Sequence, residues 1–154
     1  MKDVVKKLIE KEKTIALMES CTGGGVTNAI TNIEGSSEVL KFSAVTYSNE
    51  YKIKMGVDPQ VISKYSVYSM NTAIEMATNI VKFTNANYGI GITGKLNRVD
   101  KFNASGIDNQ VFISIYDKDN SKYYNFDLLV TKPTRAENKE TIIEFIEEKL
   151  LDII

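Results

Sequence analysis

One stretch of the chain concentrates residues that could do chemistry. Residues 18–25 read Met-Glu-Ser-Cys-Thr-Gly-Gly-Gly, so an acid, two hydroxyls and a thiol directly precede three glycines. Glycines let the backbone turn sharply and let a ligand approach the main chain. The free N–H groups at the start of a helix attract an anion or a polarised carbonyl. Ser20 is therefore a candidate nucleophile, although a serine at such a position is also a common helix cap.

The absence of histidine limits which base could activate a nucleophile. It excludes Ser-His-Asp and Cys-His catalysis and every histidine-dependent metal site. A single cysteine also excludes a thiolate-rich zinc site, and no EF-hand spacing is present, so no metal is expected. Cys21 is a rival nucleophile, but free cysteines are often buried and inert.

A lysine held neutral by burial or by another cation is the base that remains for a serine. Lys52 is the candidate base. The alternative is that Lys52 is an ordinary lysine exposed to solvent, as most lysines are. Tyr47 could pass a proton or simply pack at a strand end. Arg135 and Lys139 lie four residues apart near a helix start, where they could clamp a phosphate or face water. The triple glycine lacks the lysine of a P-loop and the spacing of a dinucleotide-binding fingerprint, so as an anion site it is unspecific.

Composition narrows the class of protein. The 154 residues suit one domain, taken here as 1–154, with a core of its own. The 19 basic and 20 acidic residues nearly cancel, so no nucleic-acid partner is expected. No apolar run is long enough for a membrane span, and the lone cysteine and lack of a leader favour the cytoplasm. The protein could form a homo-oligomer, although no residue in the sequence specifically indicates one.

Periodicity predicts the elements that must position these residues. Residues 2–12 predict an amphipathic helix, 14–18 a buried strand, and Val26 to Ile33 a helix after the glycines. A second strand over 39–47 leads into a polar loop or helix start at 47–52. Asp58-Pro59 opens a short helix to about Tyr65, and Ser69 caps a helix that ends near Thr84.

The second half of the chain predicts a strand, a long loop, a hairpin and a final helix. Residues 88–93 are apolar and contain glycines, as in a buried strand approached closely by other backbone. Residues 94–108 are polar and predict a loop; runs at 110–116 and 122–130 predict a β-hairpin. Thr134 and Glu137 have capping-box spacing at the last helix. The order predicts a three-layer α/β/α fold whose mixed sheet is mostly parallel with one antiparallel hairpin.

Five ordered motifs resemble those of the CinA C-terminal domain family, the nicotinamide-nucleotide amidohydrolases. Residues 19–24, Glu-Ser-Cys-Thr-Gly-Gly, resemble that family's AESCTGG segment, with Met18 in place of alanine. Residues 47–52 look like its YSNxxK segment, followed by Met55-Gly56-Val57 for LGV. Ile-Thr-Gly at 92–94 resembles its ITG strand end, Val-Tyr-Ser at 67–69 roughly matches its VS helix start, and Arg135 is the arginine of its late GDR element, thinned here to Pro-Thr-Arg.

The resemblance implies a reaction and a set of residues. It implies hydrolysis of the carboxamide of nicotinamide mononucleotide to nicotinic acid mononucleotide and ammonia, without a cofactor, by Ser20 as nucleophile, Lys52 as base and Tyr47 as assistant. The oxyanion donors expected are N–H groups of the Gly23 to Gly25 turn. The substrate-binding positions that it implies are Glu19, Thr22, Gly23, Gly24, Thr93, Gly94 and Arg135, with Arg135 at the phosphate.

One segment departs from the family pattern. Where the family continues TGIAGPGG, residues 93–100 read Thr-Gly-Lys-Leu-Asn-Arg-Val-Asp, which adds the bulk and charge of Lys95 and Arg98 near the expected pocket. Two hypotheses follow. The chain is an active amidase, or it is a nucleotide-binding or interaction module that keeps the fold and has lost turnover.

Overall fold

A computed structural model describes residues 1–97 and 106–154 of the chain. The strands are β1 (Ile15–Glu19), β2 (Leu40–Val45), β3 (Tyr88–Gly94), β4 (Gln110–Asp117) and β5 (Lys122–Leu129). The helices are α1 (Lys2–Glu10), α2 (Gly25–Thr31), α3 (Ser36–Val39), α4 (Asn49–Lys54), α5 (Pro59–Tyr65), α6 (Met70–Thr84) and α7 (Arg135–Ile153). Of the predicted loop at 94–108, Arg98, Asp100 and Lys101 lie outside the described residues.

The strands form one sheet in the order β2-β1-β3-β4-β5. β1 pairs in parallel with β2 and with β3, whereas β4 is antiparallel to both β3 and β5. Four of the five described strands therefore run in one direction, and β4–β5 is the hairpin. The predicted mixed α/β sheet is confirmed. Its carboxyl edge brings together the ends of β1 and β2, the two strands followed by the candidate nucleophile and base.

Helices cover both faces of the sheet, which confirms the three layers. On one face, apolar side chains of α1, α2 and α7 pack against the isoleucines and leucine of the central strands. On the other face, Met76 and Ile80 of α6 pack against Ala16 and Met18 of β1. Both faces of β1 are therefore buried, in agreement with its continuous apolar sequence.

Glycines in β3 bring α6 unusually close to the sheet. A Cβ added at Gly91 would lie 2.1 Å from the Ala73 carbonyl oxygen, and one at Gly89 would lie 2.4 Å from that of Ala77. No side chain fits there, because real Cβ atoms do not approach backbone so closely. The predicted close passage of other backbone along this strand is confirmed.

The predicted helix starts are confirmed by their caps. The Ser69 side chain accepts from the Thr72 N–H, and Asp58 accepts from the Gln60 N–H ahead of a helix with proline in its first turn. Thr134 and Glu137 form the reciprocal capping box at α7. The sequence did not predict α3, which occupies a stretch interpreted as a turn; its four residues are too few to show a helical period.

Candidate active site

The turn after β1 is built around the carboxylate of Glu19. This side chain is fully buried at the end of the strand. Its oxygens accept five hydrogen bonds, from Thr22 Oγ1 (2.7 Å), Gly24 N (3.1 Å), Val26 N (3.3 Å), Thr27 N (2.8 Å) and Thr27 Oγ1 (2.6 Å). Buried charges are stable when they are paired or extensively hydrogen-bonded. Glu19 thus anchors the turn and the start of α2, and Thr22 serves it as a donor.

The glycines of the turn bring α7 close to it. Gly23 and Gly24 have φ values of 63° and 90°, in the left-handed region that favours glycine. A Cβ at Gly23 would lie 3.3 Å from Lys139 Nζ, and one at Gly25 would lie 3.1 Å from Ile143 Cδ1. The glycines therefore serve the sharp turn and the packing of α7.

The N–H groups of these glycines already have acceptors. Gly23 N donates to the Ser20 carbonyl at 3.0 Å, Gly25 N to the Thr22 carbonyl at 3.2 Å, and Gly24 N to Glu19. The expectation that Gly23 to Gly25 present free N–H groups to an oxyanion is therefore wrong. The turn is tight enough that it satisfies its own donors.

Ser20 and Lys52 are in direct contact. Lys52 Nζ donates to Ser20 Oγ at 2.9 Å and to the Thr46 carbonyl at 2.7 Å. The parallel pairing of β1 with β2 continues beyond the strands, where the Thr46 N–H donates to the Glu19 carbonyl at 2.8 Å. The segment after β2 therefore begins beside Ser20, and α4, capped by Ser48, returns Lys52 to it. Ser20 is not the cap of α2, whose N-cap is Gly24.

Burial shifts the two ionisable groups nearest Ser20 in opposite directions. Lys52 is 1% exposed, and burial lowers its pKa to about 8, since water no longer solvates the charged form. Burial also raises the pKa of the Cys21 thiol to about 12, even though the lysine nearby favours the thiolate. Near neutral pH, the site therefore holds a lysine that is partly available as a base and a cysteine that stays protonated. This contrast favours serine over cysteine as the nucleophile.

A cavity of about 450 Å³ opens above the Ser20–Lys52 pair. The described residues that line it are Ser20, Cys21, Tyr47, Ser48, Asn49, Lys52, Val67, Tyr68, Gly94, Lys95, Leu96 and Arg135. Three of them are basic and none is acidic; the ammonium of Lys95 is paired with Asp108, so Arg135 and Lys52 supply the positive charge of the wall. Since charges of one sign in a cleft attract the opposite charge, the described wall suits an anionic ligand.

Arg135 and Tyr47 meet at the cavity. One guanidinium nitrogen of Arg135 donates to the Leu96 carbonyl at 2.6 Å, and the other donates to the Tyr47 hydroxyl at 3.2 Å. The Tyr47 side chain is 64% exposed, so its hydroxyl is open to an incoming ligand. Lys95, by contrast, is buried in the wall, and its ammonium lies 2.7 Å from Asp108 Oδ1.

The structure divides the ten predicted site residues into two groups. Those that line the cavity are Ser20, Tyr47, Lys52, Gly94 and Arg135; those that build its frame without lining it are Glu19, Thr22, Gly23, Gly24 and Thr93. Thr93, for example, is fully buried and donates to the Val67 carbonyl at 2.9 Å. Among residues 1–97 and 106–154, no group of three or more cysteine, aspartate or glutamate side chains could hold a metal ion.

Several lining residues were not predicted as site residues. Ser48 and Asn49 lie inside the segment that contains Tyr47 and Lys52, and Tyr68 lies beside the predicted cap Ser69, so their positions along the chain carried a signal. Val67 and Leu96 lie in segments that the motif comparison singled out, 67–69 and 93–100, but their side chains were not predictable as lining residues, because an apolar residue in a cavity wall looks like one in the core.

Comparison with known proteins identifies relatives over nearly the whole chain. The model of the CinA C-terminal domain family matches residues 1–149. A CinA-like protein of Endomicrobium trichonymphae is 34% identical over 146 residues, which are 94% of this chain and 34% of that protein. A CinA-like protein of Desulforapulum autotrophicum is 45% identical over 93 residues, 60% of this chain and 22% of that protein. The matched region thus spans about a fifth to a third of these curated relatives.

Solved structures share the fold. A CinA superfamily protein from Escherichia coli aligns over 99% of this chain and 87% of its own with a TM-score of 0.90 and 23% identity. The competence/damage inducible protein CihA from Agrobacterium tumefaciens gives a TM-score of 0.87 with 24% identity, over 98% of this chain and 93% of its own. None of the helices in the described part of the chain has the length and apolar character needed to cross a membrane.

Proposed function

Because the chain belongs to the CinA C-terminal domain family, we propose that it hydrolyses the carboxamide of a substrate like nicotinamide mononucleotide, with Ser20 as nucleophile and Lys52 as base. The observation that carries the proposal is the 2.9 Å contact between the Lys52 ammonium and the Ser20 hydroxyl. This distance lies within the range over which a base takes a proton. A pKa of about 8 leaves a useful fraction of Lys52 neutral near physiological pH.

The reaction divides into acylation and deacylation. Neutral Lys52 takes the Ser20 proton while Oγ attacks the carboxamide carbon, which gives a tetrahedral oxyanion. When the C–N bond breaks, the Lys52 ammonium transfers its proton to the leaving nitrogen, and ammonia departs from an ester on Ser20. Lys52 then takes a proton from water as the hydroxide attacks the ester carbon. The Ser20–acyl bond breaks, Oγ regains a proton from Lys52, and the carboxylic acid product leaves.

The oxyanion requires donors other than the glycines of the turn. We assign the backbone N–H of Cys21, the residue after the nucleophile, because Cys21 borders the cavity and this position supplies the oxyanion donor in other serine hydrolases. Tyr47 is assigned a supporting role, a hydrogen bond to the substrate or leaving group. Its hydroxyl is oriented by Arg135 and open to the ligand.

Arg135 supplies the proposed phosphate contact. Its guanidinium is planar and permanently charged, which suits the oxygens of a phosphate. The lining contains no carboxylate among the described residues, and Lys52 adds positive charge while it is protonated, whereas the charge of Lys95 is paired with Asp108. This charge supports an anionic substrate such as a nucleotide.

The second candidate function is a nucleotide-binding or interaction module of the same fold without turnover. It is favoured by Lys95, a buried charged residue in the cavity wall at a position where the family motif has isoleucine.

Product formation distinguishes the two functions. Protein incubated with nicotinamide mononucleotide should release equal amounts of ammonia and nicotinic acid mononucleotide; calorimetric binding of that nucleotide without either product would reject the amidase in favour of the module.

A further inference from the structure

We propose that Asn97 and Asn138 are positioning residues that hold the Arg135 guanidinium ready for an anionic ligand. They connect the segment after β3 to the segment that leads into α7, and these two segments meet at the cavity. The inference rests on the proposed function only for the nucleotide used as a probe. The ordering of Arg135 itself can be measured without any ligand.

Asn138 fixes the chain just before α7. It is fully buried, one helical turn beyond Arg135. Its Oδ1 accepts from the Lys132 N–H at 2.8 Å, while its Nδ2 donates to the Lys132 carbonyl at 3.0 Å and to Asn97 Oδ1 at 2.8 Å. The buried amide therefore uses both its donors and its acceptor, as a stable buried polar group requires. Two of these bonds hold the approach to the helix, and the third reaches Asn97.

Asn97 extends the connection to the cavity wall. Its φ of 61° lies in the left-handed region, which asparagine tolerates better than most residues. Its Nδ2 donates to the Pro133 carbonyl at 3.1 Å and lies 3.4 Å from that of Lys132. One side chain thus connects the segment after β3 to both residues that precede Thr134.

The carbonyl of Leu96, directly before Asn97, is the acceptor that orients Arg135. The guanidinium donates to this oxygen at 2.6 Å. Arg135 is exposed, and an exposed arginine samples many rotamers unless an acceptor holds it. Because Asn97 and Asn138 fix the segment that carries the acceptor, much of the ordering entropy of Arg135 is lost before a ligand arrives.

The chain offers a closely matched pair of variants. Asn97→Gly removes the side-chain bonds while glycine still adopts the left-handed backbone. Asn85→Gly makes the same change at another left-handed asparagine, with φ of 57°, whose Oδ1 accepts from Lys118 at the amino edge of the sheet.

The ligand-free test uses the arginine side chains. The chain has two arginines, Arg98 and Arg135, so Arg135→Lys assigns the Arg135 Nε–H signal by its disappearance. The heteronuclear NOE of this signal reports its motion on the picosecond-to-nanosecond scale. We expect the NOE to fall in Asn97→Gly and to stay unchanged in Asn85→Gly. An unchanged NOE in Asn97→Gly would overturn the inference.

A double-mutant cycle tests the effect on binding. Asn97→Gly should weaken nicotinamide mononucleotide about five-fold, the size expected for releasing one ordered side chain, and should add nothing in an Arg135→Met background. Equal losses in both backgrounds would overturn the positioning role. If the wild-type protein binds no nucleotide while the NOE behaves as expected, the proposed function fails and the positioning of Arg135 stands.

Discussion

The Lys52 ammonium donates to the Ser20 hydroxyl at 2.9 Å, although 32 residues separate the two in the chain. The parallel pairing of β1 with β2 accounts for this contact, because both strands end at the same edge of the sheet. A lysine as deeply buried as Lys52 is unusual unless it is paired or has a task to perform. Its two acceptors are neutral oxygens, which leave its proton comparatively easy to lose.

The pKa of Lys52 predicts the pH dependence of catalysis. Burial lowers this pKa to about 8, and the base must be neutral, so kcat/KM should rise with pH, with a midpoint near 8, and level off above it. Lys52→Arg should lower kcat about 100-fold or more at every pH, because a guanidinium stays protonated. Rates measured from pH 6 to 10 in non-nucleophilic buffers check this. A flat profile would exclude Lys52 as the base.

Glu19 should contribute to stability more than to substrate contact. Glu19→Gln replaces one accepting oxygen with a donor that faces other donors, so the free energy of unfolding should fall by about 2–3 kcal/mol in urea titrations. Glu50→Gln, in an exposed pair with Lys54, is the control and should cost less than about 1 kcal/mol. Equal midpoints for Glu19→Gln and wild type would contradict the anchoring role.

Cys21 should be inert in the folded protein. A thiol whose pKa is raised to about 12 is almost wholly protonated at pH 8, and this one is buried. Iodoacetamide at pH 8 should therefore alkylate the native protein about 100-fold or more slowly than the urea-unfolded chain. Because the chain has one cysteine, the intact mass reports this site alone. Equal rates in the two states would show an accessible thiolate.

Arg135 should act on binding of the phosphate. Arg135→Met removes a charge-assisted contact, so KM for nicotinamide mononucleotide should rise about 10-fold or more while kcat changes little. Activity with nicotinamide riboside, which lacks the phosphate, should fall only by the smaller amount that follows from releasing the Tyr47 hydroxyl. Steady-state kinetics with both substrates check this prediction; a parallel loss for the riboside would place Arg135 elsewhere in the reaction.

Local features of the sequence predicted most of the elements. Asp58, Ser69 and Thr134 were predictable as helix caps, because a capping side chain bonds to N–H groups only two or three residues away in the sequence. The glycines of β3 likewise indicated a close backbone neighbour. The order of the strands was not predictable, since it depends on contacts between segments far apart in the chain. β1, first along the chain, lies between β2 and β3.

The candidate site was predictable in its chemistry and less so in its geometry. The absence of histidine left a lysine as the candidate base, and the motif resemblance indicated Lys52, although most lysines in proteins are exposed to solvent. The orientation of Glu19 was not readable either, because an acid after a strand can face the cavity or turn back to the helix start. The Glu19 side chain turns back to the helix start because five N–H and O–H groups, all within eight residues of it in the sequence, donate to its carboxylate.

Ammonia release by Ser20→Ala and Cys21→Ala, measured beside the wild type with nicotinamide mononucleotide, tests the central claim most directly. The two variants remove neighbouring candidate nucleophiles from one turn. The raised pKa of Cys21 keeps its thiol protonated, so it is the weaker candidate. The account predicts that Ser20→Ala loses turnover by about 1,000-fold or more and that Cys21→Ala keeps most of it. Turnover that survives Ser20→Ala and is lost in Cys21→Ala would contradict it.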